Sequence, residues 1–367
     1  MIRFRCERDE LAEALGTVSR AVATTRSGQS GPVGMKLELT GDRLELVGSD
    51  RELTISATIE VGGEADGKIV VPTKTADVVR SLPPGKIDLV ADESSLVITA
   101  DRAEFSLNLL PTEQWQQPSE PTGEPVELDA TALAEGLAQV IKAASKDDSR
   151  SPALTGVLFA PEEAGLRLVT TDSYRLAMRD LTGTSVEGLD RPVLIPSRAL
   201  AELQRLLGGN DVVALQLTDV DASFTVGGTR LTTRLIEQQF PAYQNLIPKN
   251  QRNRLSVGRA ELADAVKRVR VMSGDGDMTT LALQIGSDSL ELIVKTRDLG
   301  EAHETVDAKY EGEDMKIAFN AKYFAEGLEV SPGDEIGLEL ESAAKAAVLR
   351  PTDSSDFLYL LMPVHSS

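Results

Sequence analysis

Apolar positions recur at helical spacing in three places along the chain, and each place leads into alternating strands. Leu11, Leu15, Val18 and Val22 form the first stripe, Leu133, Leu137, Val140 and Ile141 the second, and Leu262, Val266 and Val269 the third. The stripes open in related words: Asp9-Glu-Leu-Ala-Glu-Ala-Leu15, Thr131-Ala-Leu-Ala-Glu-Gly-Leu137 and Ala260-Glu-Leu-Ala-Asp-Ala-Val266. A second marker repeats behind them as Leu44-Glu-Leu-Val-Gly-Ser-Asp50, Leu166-Arg-Leu-Val-Thr-Thr-Asp172 and Leu290-Glu-Leu-Ile-Val-Lys-Thr296. Period-two alternation predicts strands here, and Leu53, Ile55, Ala57 and Ile59 continue it. The Asp that closes the first two copies suits a hairpin turn, because its carboxylate accepts nearby backbone N–H groups.

A third marker, Val70-Val-Pro-Thr-Lys74, Leu194-Ile-Pro-Ser-Arg198 and Ala318-Phe-Asn-Ala-Lys322, predicts a strand running into a short helix. Thr73, Ser197 and Asn320 are the expected caps, since a helix start needs acceptors for its orphan N–H groups. Three markers in the same order make one unit of helix, strands, helix and strands, written three times. The six helices are expected over 9–23, 74–82, 131–146, 197–207, 260–273 and 321–329. The polar, turn-rich stretches Pro118–Pro125 and Lys249–Arg254 separate the units.

Charge sharpens this picture. The 367 residues carry 38 Lys and Arg against 58 Asp and Glu, a net charge of -20. An acidic chain repels nucleic acid unless its charge is segregated. Within the six expected helices, bases and acids nearly balance, so the negative excess lies in strands and loops. Acids at helix starts and bases at helix ends also complement the macrodipole. The alternative is that the helices face a polyanion while strands and loops face water, and the three-fold recurrence favours it. One cysteine, Cys6, and two histidines exclude disulfide scaffolds, cysteine zinc sites and iron–sulfur clusters. Cys6 reads as a small buried hydrophobe. No run of apolar residues is long enough to span a membrane and the N-terminus lacks a signal core, which reads as a cytoplasmic protein.

Catalytic motifs are missing. Thr171-Asp172-Ser173 has no histidine partner for nucleophilic work, and no P-loop or dinucleotide fingerprint is present. Gly274-Asp-Gly-Asp277 has too few ligands for a calcium loop and reads as a turn. No metal and no cofactor is expected.

Three further stretches carry a family resemblance: Thr171-Asp-Ser-Tyr-Arg-Leu-Ala177, Phe240-Pro-Ala-Tyr-Gln-Asn-Leu-Ile-Pro248 and Tyr359-Leu-Leu-Met-Pro-Val364. With the three-unit period they resemble the bacterial DNA polymerase III beta subunit, the replicative sliding clamp, and the long first helix from Glu7-Arg-Asp-Glu10 looks most like its actinobacterial members. The resemblance implies an α+β fold of three repeated DNA-clamp domains, over 1–122, 123–250 and 251–367. Helices would line a ring, antiparallel sheets would form its outer wall, and two chains would pair head to tail as a homodimer. It implies a non-catalytic DNA-binding processivity factor that encircles duplex DNA without sequence readout. Arg26, Lys74, Arg80, Lys142, Lys146, Arg150, Arg198, Arg205, Lys267 and Lys322 would face the DNA.

The same resemblance implies a pocket for Gln-Leu-x-Leu-Phe-like peptides of the DNA polymerase III alpha subunit, the clamp loader and repair polymerases. Its residues would be Leu154, Thr171, Ser173, Tyr174, Arg175, Leu176, Pro241, Asn245, Leu246, Leu360, Met362, Pro363 and Val364. Phe105 and Leu107 would meet Val271 and Met272 of a second copy at the dimer contact. Ser173, where other members often have Gly or Arg, and the ending His365-Ser-Ser are departures. They leave open a paralogous clamp with altered partner or inhibitor binding. A hydrolase using Asp172 and a β-rich interaction module without DNA are the readings from other classes.

Overall fold

The computed structural model describes residues 1–22, 34–112, 115, 121–149, 151–184, 188–249, 251–273 and 279–364. Arg26, Arg150, the Gly274–Asp277 turn and His365 lie outside the described residues. Six α-helices occur among those described: α1 (Arg8–Ser19), α2 (Lys74–Ser81), α3 (Ala130–Val140), α4 (Ser197–Leu207), α5 (Arg259–Val269) and α6 (Ala321–Val330). None is long and apolar enough to cross a membrane. The chain forms two compact units, Met1–Thr131 with Glu202–Leu235, and Ala132–Ala201 with Ile236–Ser367.

The first unit holds two antiparallel sheets. A five-stranded sheet runs in the order Gly62–Ala65, Ile2–Glu7, Lys86–Ala91, Ser95–Ala100, Ala103–Asn108. An eight-stranded sheet runs Val126–Asp129, Val212–Leu217, Asp221–Val226, Thr229–Arg234, Leu53–Glu60, Arg43–Ser49, Gly34–Thr40, Gly67–Pro72. The second unit holds a nine-stranded sheet and a four-stranded sheet. The nine are Val193–Pro196, Gly156–Glu162, Gly165–Thr171, Arg175–Thr182, Phe357–Leu361, Ala347–Pro351, Glu335–Leu340, Asn253–Gly258 and Lys309–Glu311. The four are Gly300–Asp307, Ser289–Thr296, Thr280–Ile285 and Met315–Asn320.

The three repeats and the two units therefore divide the chain differently, and backbone pairing is the reason. Leu53–Glu60 of the first repeat pairs with Thr229–Arg234 of the second, and Arg175–Thr182 of the second pairs with Phe357–Leu361 of the third. Hydrogen bonding across these joins satisfies edges that would otherwise stay open.

The expected apolar stripes are the buried faces. Leu11, Leu15 and Val18 of α1, Leu133, Leu137 and Val140 of α3, and Leu262, Val266 and Val269 of α5 are all buried. α1 lies against the Arg43–Ser49 strand so closely that a Cβ on Gly48 would sit 1.9 Å from the Val18 carbonyl oxygen, which only glycine permits. Three helices end earlier than the expected ranges 9–23, 131–146 and 260–273. α1 tightens after Ser19 into i→i+3 bonds, Ala21 N–H to Val18 O and Val22 N–H to Ser19 O, while α3 and α5 pass into 3₁₀ turns at Ile141–Ala143 and Arg270–Met272. The tightened turns keep Ala21, Val22 and Ala143 buried, so the stripe outlasts the α-helix.

Of the expected caps, Asn320 accepts from the N–H groups of Lys322 and Tyr323 at 2.9 and 3.1 Å. Thr73 does not cap. It already has helical angles and gives no side-chain bond to α2, because a capping side chain needs extended backbone to reach the N2 or N3 amide. Ser197 is the first residue of α4 itself. The polar separator at Lys249–Arg254 is also shorter than expected, since Asn253 and Arg254 begin a strand. Asn253 is buried there because its amide donates to the Leu340 and Glu341 carbonyls and accepts from the Glu313 N–H.

Candidate functional site

The turn Thr171–Arg175 joins two neighbouring strands of the nine-stranded sheet. Asp172 Oδ1 accepts the N–H groups of Tyr174 and Arg175 at 2.9 and 3.0 Å, and Thr171 Oγ1 donates to the Arg175 carbonyl at 2.7 Å. Ser173 is held at φ +78°. The first repeat builds the same turn: Asp50 Oδ1 accepts from Glu52 and Leu53 N–H, and Arg51 has φ +80°. The effect in the second unit is to hold Tyr174 out, 51% exposed, beside the end of the chain, where the Met362 N–H donates to the Tyr174 carbonyl at 2.9 Å.

Beneath the turn, Leu176 pairs with Leu360 and Met178 with Leu358 across the strand seam. These four join Val169, Tyr243, Ala346 and Val348 in one buried apolar cluster, with Leu158, Phe240 and Ile247 packed against it. The Phe240–Pro248 loop lies on this cluster through the buried Tyr243, whose ring meets Phe240 edge-on at 6.2 Å. Its 3₁₀ turn, Tyr243–Asn245, leaves Pro241, Asn245 and Leu246 exposed. Tyr174, Leu246 and Met362 are thus large apolar side chains presented to solvent on a surface with an apolar floor. Such a surface suits leucine or phenylalanine anchors.

The expected site residues separate into three kinds. Tyr174, Leu246 and Met362 are exposed, with Ser173, Pro241, Asn245 and the half-buried Pro363 around them. Leu176, Leu360 and Thr171 are buried floor. Leu154 is half-buried on the 3₁₀ turn Pro152–Thr155. Val364 goes elsewhere: its N–H donates to the Ala318 carbonyl, and it packs on Ala282, Ile293 and Ala318 of the four-stranded sheet. Val169, Met178, Tyr243, Val348 and Leu358 were not expected. The signal for Met178 and Leu358 was there, since each lies two residues from a leucine on the same strand face.

Arg175 is 7% exposed and works inside the fold rather than at its surface. Its guanidinium bonds Asp172 Oδ2 at 3.0 Å, the Tyr359 hydroxyl at 3.0 Å, Glu326 and the Lys142 carbonyl, and lies over the Tyr323 ring at 4.2 Å. Burial alone favours losing the proton, but the Tyr359 oxygen and Glu326 outweigh it and hold the Arg175 pKa above its usual range. Burial likewise pushes the Tyr359 phenol up.

The expected DNA-facing bases that are described all lie on or just after helices. Lys74 and Arg80 are on α2, Arg198 and Arg205 on α4, Lys267 on α5, Lys322 at the start of α6, and Lys142 and Lys146 just beyond α3. Lys142 reaches Glu329 at 2.7 Å, Lys74 reaches Asp77 at 2.9 Å and Arg205 reaches Glu202 at 3.2 Å. Phe105, 39% exposed, and Leu107 stand on Ala103–Asn108, the edge strand of the five-stranded sheet. Val271, 78% exposed, and Met272 stand on the 3₁₀ turn after α5, and the Met272 carbonyl accepts the Thr296 hydroxyl.

Three sequence models match in order along the chain: the N-terminal domain of the DNA polymerase III beta subunit over residues 2–118, its central domain over 127–242 and its C-terminal domain over 244–365. The chain belongs to the DNA polymerase III beta subunit family. The beta sliding clamp of a Synechocystis strain is 32% identical over 99% of both chains, and that of Staphylococcus aureus 29% identical over the whole of both. The fold agrees. A sliding clamp from Bacillus subtilis superimposes with a TM-score of 0.93 at 25% identity, and a DnaN clamp from Bartonella birtlesii, solved bound to griselimycin, with 0.93 at 30% identity, each covering 100% of both chains. This beta subunit is a replicative clamp with three clamp domains and is a non-catalytic processivity subunit. Asp172 accordingly serves the clamp as a turn residue and a partner of Arg175.

Proposed function

We propose that two copies of this clamp close head to tail into a ring around duplex DNA, and that the Tyr174–Leu246–Met362 surface captures partner peptides. The observation that carries the ring is the state of the sheet edges. The first two repeat boundaries are joined by continuous eight- and nine-stranded sheets. At the remaining boundary, the five-stranded sheet ends at Ala103–Asn108 and the four-stranded sheet ends at Gly300–Asp307, each with an open edge among the described residues. Joining these edges between two copies gives a third sheet of nine strands and pairs both of these edges. Phe105 and Leu107 belong to one edge strand, and Val271 and Met272 flank the other, so apolar burial accompanies the pairing. The proposed domain limits are 1–122, 123–250 and 251–367.

Helix-borne bases facing a central channel would hold phosphate without reading sequence. Their carboxylate neighbours at Asp77, Glu202 and Glu329 temper that hold, as sliding requires. The partners are the DNA polymerase III alpha subunit, the clamp loader and repair polymerases, through Gln-Leu-x-Leu-Phe-like segments, and the ring works in the cytoplasm. The griselimycin-bound relative supports a ligand pocket on this fold.

Light scattering tests the ring: the expected mass is twice the 39.4 kDa of the chain. The Phe105→Arg, Leu107→Arg double variant should run as a monomer. A wild-type monomer at micromolar concentration would overturn the proposal. A fluorescent Gln-Leu-Asp-Leu-Phe peptide tests the pocket, with saturable binding expected and its loss in Met362→Ala.

A further inference from the structure

The repeats set the same row of positions across one face of three sheets. In the nine-stranded sheet the row is Leu194, Leu158, Val169 and Met178, each in register with the next. It forms part of the apolar floor under the candidate peptide surface. In the eight-stranded sheet the row is Val70, Lys36, Val47 and Ser56. Lys36 takes the place of Leu158, wholly buried, with its ammonium on Glu38 at 2.8 Å. That copy of the surface is filled by a charged side chain and offers no apolar floor.

The four-stranded sheet carries the third row: Ala318, Ala282, Ile293 and His303. Alanines replace both leucines, Val364 packs on them and on Ile293, and beside them lies a cleft of about 570 Å³, within the range of ordinary ligand sites. Ala282 and Ile293 line its floor, and Lys295, Arg297, Lys316 and Glu301 line its walls. Lys295 is paired with Glu301 at 2.6 Å. Arg297 and Lys316 are exposed and have no carboxylate partner among the described residues. Three bases and one carboxylate thus line the cleft, a local positive excess on a chain of net charge -20.

We infer that this cleft is a second docking site of the clamp, and that it takes an extended acidic segment of a partner protein. A carboxylate from that segment meets the Arg297 fork in a two-bond geometry and a second meets Lys316, while its backbone passes beside Val364, which packs on Ala282 and Ile293. Ring closure uses the backbone edge of Gly300–Asp307, whereas the cleft lies on the face of the sheet. The inference draws on the peptide-pocket reading only through the equivalence of the rows. The two surfaces then differ in what they select: apolar anchors at one, carboxylates at the other.

Fluorescence anisotropy on the full-length chain tests this with a fluorescein-labelled Glu-Val-Glu-Val-Glu-Val peptide, in parallel with the Gln-Leu-Asp-Leu-Phe peptide. The acidic probe is expected to bind saturably and to weaken at least tenfold in Arg297→Glu, Lys316→Glu. Ala282→Trp, which fills the cleft at constant charge, should weaken it similarly, and Met362→Ala should leave it within twofold. Absence of saturable binding overturns the inference, as does retained affinity in Ala282→Trp, which would mark diffuse charge attraction. Tighter binding after removal of residues 365–367 also overturns it, by making the chain's own tail the occupant. If only the Gln-Leu-Asp-Leu-Phe peptide fails to bind, the peptide-pocket reading falls and the acidic cleft stands.

Discussion

Arg175→Ala removes a side chain that ties the Thr171–Arg175 turn to the C-terminal strand and to α6. The substitution leaves Asp172, which is 10% exposed, and the Lys142 carbonyl and Tyr359 hydroxyl without their shared donor. Removing one partner of a buried ion pair costs ~3–5 kcal/mol, because the other charge stays behind. Glu326 is 24% exposed and can recover some water, which places the cost near ~3 kcal/mol. The lost stacking on Tyr323 contributes to the same figure and is not added to it. At ~1.4 kcal/mol per tenfold, the local opening equilibrium shifts by roughly a hundredfold.

Hydrogen exchange followed by mass spectrometry reads this directly. Peptides spanning Leu168–Met178 and Phe357–Leu361 should exchange about a hundred times faster in the variant. Peptides from Ile2–Ser19, in the other compact unit, should not change. Arg175→Lys should restore only part of the protection, since an ammonium cannot reach acceptors in four directions. A change below about fivefold in Arg175→Ala, under ~1 kcal/mol, would refute the idea that this guanidinium holds the turn. The same variant should weaken the Gln-Leu-Asp-Leu-Phe peptide, because Tyr174 is presented by that turn.

Other perturbations probe separate parts of the argument. Ser173→Gly should stabilise the second unit by ~0.5–1 kcal/mol, the left-handed strain of a non-glycine residue less the added chain entropy of glycine, read as a higher denaturation midpoint. A lower midpoint would mean the serine hydroxyl contributes more than the strain costs. Lys146→Ala with Lys267→Ala should flatten the salt dependence of DNA binding by roughly one logarithmic unit per lost phosphate contact, and an unchanged slope would remove both residues from the DNA face. Burial pushes the Cys6 thiol up to about 12, with the nearby Glu10 and Glu7 adding to the shift. The unfolded chain then releases this proton first, so the folded state loses stability as pH rises from about 9 toward 12, and Cys6→Ala should lessen that loss in a denaturation series at alkaline pH.

The fold was legible wherever local spacing carries the information. Apolar stripes located α1, α3 and α5, the repeated strand-to-helix marker located α2, α4 and α6, and Asp50 and Asp172 announced their turns because an Asx carboxylate acts within three residues of itself. Thr73 misled because the residue type that caps is also tolerated inside a first turn, and only the backbone angle distinguishes the two. The division into two compact units was not legible at all. It follows from strand pairing between repeats, such as Leu176 with Leu360, and pairing across 184 residues leaves no periodic trace.

The candidate site follows the same rule. Tyr174, Leu246 and Met362 could be named from the family's motifs, whereas the floor beneath them is assembled from five strands and a loop that only the register brings together. Arg175 shows why a motif residue and a surface residue are different claims. It belongs to the motif because it supports the turn from below, with four acceptors and an aromatic ring around it. Lys36 makes the complementary case. A lysine on a strand reads as a solvent-facing charge, yet here it is wholly buried at the position where the second repeat has Leu158. Similar repeats can thus hold one fold while a single side chain decides which of their faces offers an apolar floor.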